Sequence, residues 1–269
     1  MPGIASVKTS AAPVSLTVSY PEKIVETDRK YRQHILDTHL VTYPVRVRET
    51  DVLVSTITRL DGVTREQILF YRGQIESYIQ QNPEFMHTLV PWNLTGPAPG
   101  VIRDMSTAAG LAGVGPMAAV AGAIAAAVGT DLLGYSDEVI IENGGDVFIK
   151  TQKPVIAAIF AGRSPLSMKM GVRIDSVSGP VGLCTSSGTV GHSLSFGKAD
   201  AVCVLSGSCA LADAAATAIA NHVKTPGDIQ NAVAFGQSIP GISGILIVVK
   251  KQMGIWGKLE LIPITGKKY

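Results

Sequence analysis

Asp213 and Thr217 stand four residues apart in the run Ala212-Asp213-Ala214-Ala215-Ala216-Thr217-Ala218. On a helix that spacing puts both on one face, about one turn apart. Every other residue in the run is alanine, and a carboxylate among apolar neighbours is costly unless it is paired or metal-bound. A carboxylate and a hydroxyl together suit a hard cation such as magnesium, which keeps much of its water and takes few protein ligands. Asp is also a favoured N-terminal helix cap, so a capping role stands beside the metal role.

Three further segments hold small and polar residues where a plain core needs none. Cys184-Thr185-Ser186-Ser187-Gly188-Thr189-Val190-Gly191-His192-Ser193 packs five hydroxyls, two glycines and a histidine into ten residues. That is a donor-rich loop, of the composition that cradles phosphate or a flavin edge. Within it, His192 could serve as a general acid or base, or simply be a satisfied structural side chain. Cys184 lacks a nucleophile's partner spacing and reads as a small packing residue. Glu142-Asn143-Gly144-Gly145-Asp146 lies between two β-like runs, and Asn-Gly is a strong hairpin signal. Ala112-Gly113-Val114-Gly115-Pro116-Met117 leads glycines into a proline and then a helix-forming run. Its free N–H groups could bind an anion, or its glycines could simply allow close helix packing.

The elements that carry these residues must come from a chain of 269 residues, 46% hydrophobic and only 16% charged. The apolar fraction suffices for a core and excludes a disordered chain. The charged fraction is well under the usual ~25%, which suggests a homo-oligomer with part of its surface permanently covered. A net charge of +2 gives no basic field for nucleic acid. Three cysteines without zinc spacing point to a reducing compartment. The opening MPGIASVKTSAAP has no apolar targeting core, so a cytoplasmic location is expected. The charge-poor stretch Met105–Thr130 has the length of a membrane span. It is built of Ala and Gly and broken by Pro116, so it reads as a loop followed by a buried, close-packed helix rather than as a span.

Residues 1–38 read as an N-terminal extension, and 39–269 as one α+β domain with a possible subdomain break at 97–100. Leu40–Arg48 and Asp51–Leu60 alternate as a hairpin does. Thr64 and Gln67 have capping-box spacing at the start of a helix, with Ile68, Leu69, Ile75, Tyr78 and Ile79 as its apolar stripe and Pro83 as its stop. Short strands are expected at 138–141, 147–150, 155–161, 170–175, 201–205, 244–250 and 259–263. Helices are expected at Leu211–His222 and from Asp228. Strands do not alternate strictly with helices, so the fold class is α+β, with helices packed on antiparallel sheet.

Together, AGVGPMAAVAGAIA (112–125), ENGGDV (142–147), CTSSGTVGHSLSFGKADA (184–201) and LADAAATAIAN (211–221) resemble a bacterial and archaeal branch of the ApbE-like superfamily. ETDVLV (49–54) and GIWGKLEL (254–261) extend the resemblance over nearly the whole chain after about residue 28. Characterised members of the superfamily are FAD:protein FMN transferases of T-fold-related architecture. The resemblance implies a magnesium-dependent enzyme acting on FAD, another flavin nucleotide or a related small phosphorylated cofactor. It implies metal binding by Asp213 and Thr217, which match the family's Asp-x-x-x-Thr motif. It implies ligand contacts from Asn143, Gly144, Gly145 and Asp146, and from Thr185, Ser186, Ser187, Gly188 and Thr189. His192 is the implied catalytic residue. Where the transferases read His-Ile-Ile-Asp-Pro-x-Thr-Gly, this chain reads His192-Ser193-Leu194-Ser195-Phe196-Gly197-Lys198, keeping the histidine alone. Where they read Ala-Lys-Gly-Tyr-Ala-Val-Asp, it reads Val114-Gly115-Pro116-Met117-Ala118-Ala119-Val120-Ala121, without the Lys or the Asp. These departures open an alternative, a non-catalytic ligand-binding or scaffold protein on the same fold.

Overall fold

Apolar runs such as Ala201–Val204 and Ile245–Val249 are buried throughout, which a strand achieves only when both faces of its sheet are covered. The structure, a computed structural model, describes residues 35–36, 39–175, 179–188 and 197–264. Its strands are β1 (Ile35–Leu36), β2 (Val41–Val47), β3 (Thr50–Thr56), β4 (Val139–Asn143), β5 (Asp146–Lys150), β6 (Val155–Ala158), β7 (Met170–Ile174), β8 (Val181–Ser186), β9 (Ala201–Ser206), β10 (Ile242–Val249), β11 (Gln252–Gly257) and β12 (Glu260–Pro263). Its helices are α1 (Asp61–Gln81), α2 (Gly100–Ala112), α3 (Val120–Leu132), α4 (Cys209–Asn221) and α5 (Ile229–Gln237).

An eight-stranded sheet runs β11-β10-β9-β8-β5-β4-β3-β2, and a four-stranded sheet runs β1-β6-β7-β12. Their pairings are antiparallel, so the class is α+β with antiparallel sheets and packed helices. Strand alternation divides the interior in two. Val139, Ile141 and Phe148 face a core shared with the helices, whereas Ile140, Val147 and Ile149 face a second core against β6 and β7. The large sheet is thus the middle of three layers.

Small residues let the helices crowd this sheet. A Cβ on Gly122 of α3 would lie 2.5 Å from the Cys209 carbonyl oxygen and 2.8 Å from the Asp213 Cβ. Helix α4 is buried along almost its whole length. Its cap is Ser208, whose hydroxyl accepts the Leu211 N–H at 3.3 Å. Asp213 therefore lies inside the helix, and the capping role is excluded.

Several local expectations change. Helix α1 begins at Asp61 after an uncapped Leu60, and the hydroxyl of Thr64 is buried without a hydrogen-bond partner, so Thr64 and Gln67 form no capping box. Leu69 is 49% exposed and leaves the apolar stripe, because it sits a helical step round from buried Ile68. The stretch from Met105 read as a loop is mostly α2, a helix whose core side is Val101, Ile102, Met105, Ala108 and Ala109. Pro97–Gly100 leads directly into α2, and Val101 and Ile102 share one core with Val52 and Ile68. Among the described residues no single helix is long and apolar enough to cross a membrane, and the candidate pair Gly100–Ala112 and Pro116–Leu132 is bent by 106°.

Candidate functional site

The β4–β5 hairpin closes at Gly144-Gly145, with Asn143 opposite Asp146. Gly144 has φ of 77°, a conformation that glycine adopts freely. The segment is thus a tight turn, and the turn also faces a cleft. That cleft, about 850 Å³, is lined by Asn143, Gly144, Gly145 and Asp146, by Thr185 and Ser187, and by Asp213 and Thr217 of α4. Three segments far apart in sequence meet there because β5 pairs with β8, setting Asp146 opposite Cys184, while α4 packs over β8.

The donor-rich segment is not all loop. Val181–Ser186 is a strand, and alternation decides which of its side chains reach the cleft. Thr185 and Ser187 line the cleft, whereas Ser186 points away with its hydroxyl buried and unpartnered. Gly188 does not line it either; its N–H donates to the Ala199 carbonyl at 3.0 Å. Thr189 and His192 lie outside the described residues.

Asp213 is half-buried at the cleft wall. Its Oδ2 accepts the Gly122 N–H at 2.9 Å, and the Ala121 N–H also bonds to the carboxylate. Both amides belong to the first turn of α3, where the helix dipole favours negative charge. Burial, together with the nearby charge of Asp146, nevertheless holds the Asp213 carboxyl well above the usual range. Asn143 ties the hairpin to the same turn, its Nδ2 donating to the Ala121 carbonyl at 3.1 Å. Asp146 is buried, and burial pushes its carboxyl up to about 7, against the opposing pull of hydrogen bonds from Cys184 and the Thr185 N–H.

Cys184 stands opposite Asp146 in the β5–β8 pairing and packs against Cys209 at the start of α4. Cys184 Sγ is 3.3 Å from the Cys209 carbonyl oxygen and 3.5 Å from Cys209 Sγ. Both are buried, and burial pushes the Cys184 thiol well up. Cys203 is buried as well, 3.0 Å from Thr185 Oγ1, and is pushed up to about 11. Such thiols stay protonated and pack as small apolar groups. Among the described residues no group of three or more His, Cys, Asp or Glu side chains is arranged as a metal site.

The cleft also has walls that sequence spacing did not single out: Glu49, Thr50 and Arg72, His87 with Met86 and Leu89, and Ala157–Phe160. Glu49 opens the ETDVLV segment, which was a usable signal. Arg72 lies on α1 among other charged residues, with nothing local to set it apart.

Comparison with known proteins places this architecture. A family model described as "AbpE bacteria" matches residues 32–253, and the chain belongs to that family. It is 40% identical to the UPF0280 protein MJ1526 of Methanocaldococcus jannaschii over 228 residues, covering 82% of this chain and 93% of the relative. It is 39% identical to a UPF0280 protein of Methanococcus aeolicus, covering 77% of this chain and 86% of the relative. Among solved structures it is similar to the flavin transferase ApbE from Vibrio cholerae, with a TM-score of 0.54 and 13% identity, over 82% of this chain and 97% of that one. The ApbE-like fold implied by the sequence motifs is the fold of this protein.

Proposed function

We propose that this protein is a magnesium-dependent enzyme acting on a flavin nucleotide or a related phosphorylated cofactor, in the manner of an FAD:protein FMN transferase. The observation that carries the reading is that Asp213 and Thr217, one turn apart on α4, line the same cleft as the Asn143–Asp146 turn. A carboxylate and a hydroxyl fit magnesium by donor type. The two amides on Asp213 leave lone pairs for a cation, since a carboxylate offers about four acceptor sites. A cation there would also offset the crowding of charge between Asp213 and Asp146. Bound magnesium would neutralise charge developing on a phosphate.

The chain's own residues then have distinct tasks. Asn143 braces the hairpin against α3 and so fixes the turn relative to Asp213. The amides of Gly144 and Gly145 and the hydroxyls of Thr185 and Ser187 offer donors to an anionic or flavin-edge ligand. Asp146, held near neutrality by burial, can hold or release a proton close to the working pH. The pairing of Ser186 in β8 and the bond from the Gly188 N–H to the Ala199 carbonyl hold Thr185 and Ser187 at the cleft; by the family resemblance, Thr189 contacts the ligand and His192 orients phosphate or relays a proton.

The replaced segments at Val114–Ala121 and His192–Lys198 favour a second reading, a ligand-binding protein without transfer. Incubation with FAD, magnesium and a threonine-bearing target peptide separates the two. FMN-labelled peptide is the result expected of the enzyme. Flavin released from the purified protein on denaturation, with no labelled peptide under any condition, would favour the binding protein.

A further inference from the structure

The cleft wall, among the described residues, carries Glu49, Glu142, Asp146 and Asp213 but no lysine, and Arg72 is its one arginine. His87 is the other basic side chain there, and it is exposed. A phosphorylated ligand entering so acidic a cleft needs a fixed cation besides any metal, because carboxylates repel phosphate at short range. The cleft-side segment Val114–Ala121 supplies no lysine or arginine to take that part.

We propose that Arg72 is the cationic contact for a phosphate group of the ligand, and that Glu49 holds its place until the ligand arrives. The inference rests on the reading of the cleft as a site for a phosphorylated ligand. Arg72 reaches the cleft from α1 with its side chain only 16% exposed. One amino group donates to Thr50 Oγ1 at 2.7 Å; the other meets Glu49 at 2.5 Å and Glu76 at 2.8 Å. Its Nε–H is buried and has no hydrogen-bond partner. A guanidinium presents its donors as a planar fork that matches phosphate, so an unused Nε–H beside an exchangeable amino contact is a bidentate site half occupied.

The two acidic partners differ. Glu76 is four residues on along the same helix and 38% exposed, an intrahelical brace that keeps the fork aimed. Glu49 is 82% exposed, so its pairing with Arg72 is screened and weak, and a dianionic phosphate can displace it. Thr50 is buried and anchors the other amino group throughout. Arg72, from the side of α1 and the start of β3, and Asp213 and Thr217, from α4, line the same cleft, so the phosphate of one ligand lies between the guanidinium and the metal pair.

The test is calorimetry on the full-length protein with magnesium present, using FMN, riboflavin and inorganic pyrophosphate as probes. Loss of a charge-assisted hydrogen-bonding group predicts that Arg72→Ala weakens FMN and pyrophosphate about 10- to 100-fold and leaves riboflavin within about twofold. Arg72→Lys, which keeps the charge and loses the fork, falls between. Glu49→Gln strengthens FMN binding several-fold, and urea unfolding confirms that each variant is folded. Equal weakening of riboflavin and FMN by Arg72→Ala would overturn the proposal, as would weaker FMN binding in Glu49→Gln. Flavin nucleotide binding indifferent to Arg72 removes this contact and spares the flavin reading. Pyrophosphate binding that needs Arg72, with no flavin bound, keeps the contact and removes the flavin reading; binding of neither removes both.

Discussion

Replacing Gly122 by alanine sets two effects against each other at the joint that positions the site. Alanine is the better helix former by ~0.5–1 kcal/mol. Against this, the new methyl would sit 2.5 Å from the Cys209 carbonyl oxygen and 2.8 Å from the Asp213 Cβ. Neither obstacle is the end of a flexible side chain: one is backbone, the other the Cβ root of a half-buried residue in the middle of α4. Overpacking of this kind costs ~1–3 kcal/mol, so the steric effect wins. Helix α3 must move away from α4, which also stretches the bond from the Gly122 N–H to Asp213. Gly73 of α1 and Gly110 of α2 provide the control, since a Cβ at either meets nothing within 4 Å. There the same substitution stabilises by ~0.4–1 kcal/mol through the unfolded state. Urea unfolding compares the three variants at constant m. Gly122→Ala should lower the midpoint while Gly73→Ala and Gly110→Ala raise it. A midpoint for Gly122→Ala at or above wild type would refute the packing argument, because the helix-propensity gain would then act unopposed.

Two further outcomes follow from the buried groups. Asp146 has its folded pKa raised from 3.8 to about 7, so the native state holds a proton that the unfolded chain has lost across that window. Stability from this group is full below pH 4 and falls as pH rises through about 7, by at most ~4 kcal/mol for roughly three units. Asp146→Asn should flatten the decline in urea midpoint between pH 5 and 8 in metal-free buffer; an unchanged decline would contradict the assignment. The thiols of Cys184, Cys203 and Cys209 are buried and protonated, so a chromogenic disulfide reagent at pH 8 should label them only after unfolding. Rapid labelling of any of the three in native protein would show that the packed interior around that thiol opens.

Features set by neighbours in the chain were legible in the sequence, and those set by packing across the fold were not. Alternation in Val41–Val47 and the Asn-Gly turn after β4 mark a hairpin because each is set by neighbours in the chain. Strand β8 reads as a loop because its hydroxyls suggest solvent, yet pairing with β5 and β9 satisfies its backbone and buries Cys184 and Ser186. Strand β11 is missed because Gly254 weakens its pattern; that glycine is there to admit Ile229 of α5, 2.4 Å from where a Cβ would stand. Helix α2 is missed in part because its half from Met105 onward merges with the Ala- and Gly-rich run that continues to Thr130, which masks a core face of Val101, Ile102, Met105, Ala108 and Ala109. In the site, Asp213 and Thr217 are legible because helical spacing alone puts them together. Their meeting with Asn143–Asp146 is a fact of register between β5 and β8, and Arg72 enters through the packing of α1, which no local pattern encodes.

The central claim, that Asp213 and Thr217 grip a divalent ion against a bound anion, is tested most directly by calorimetric titration of FAD and FMN with and without magnesium, on wild type and Asp213→Ala. The account predicts that magnesium raises nucleotide affinity at least tenfold in wild type, about 1.4 kcal/mol, and has no effect in the variant. Wild-type affinity that is the same with magnesium and with chelator would contradict it.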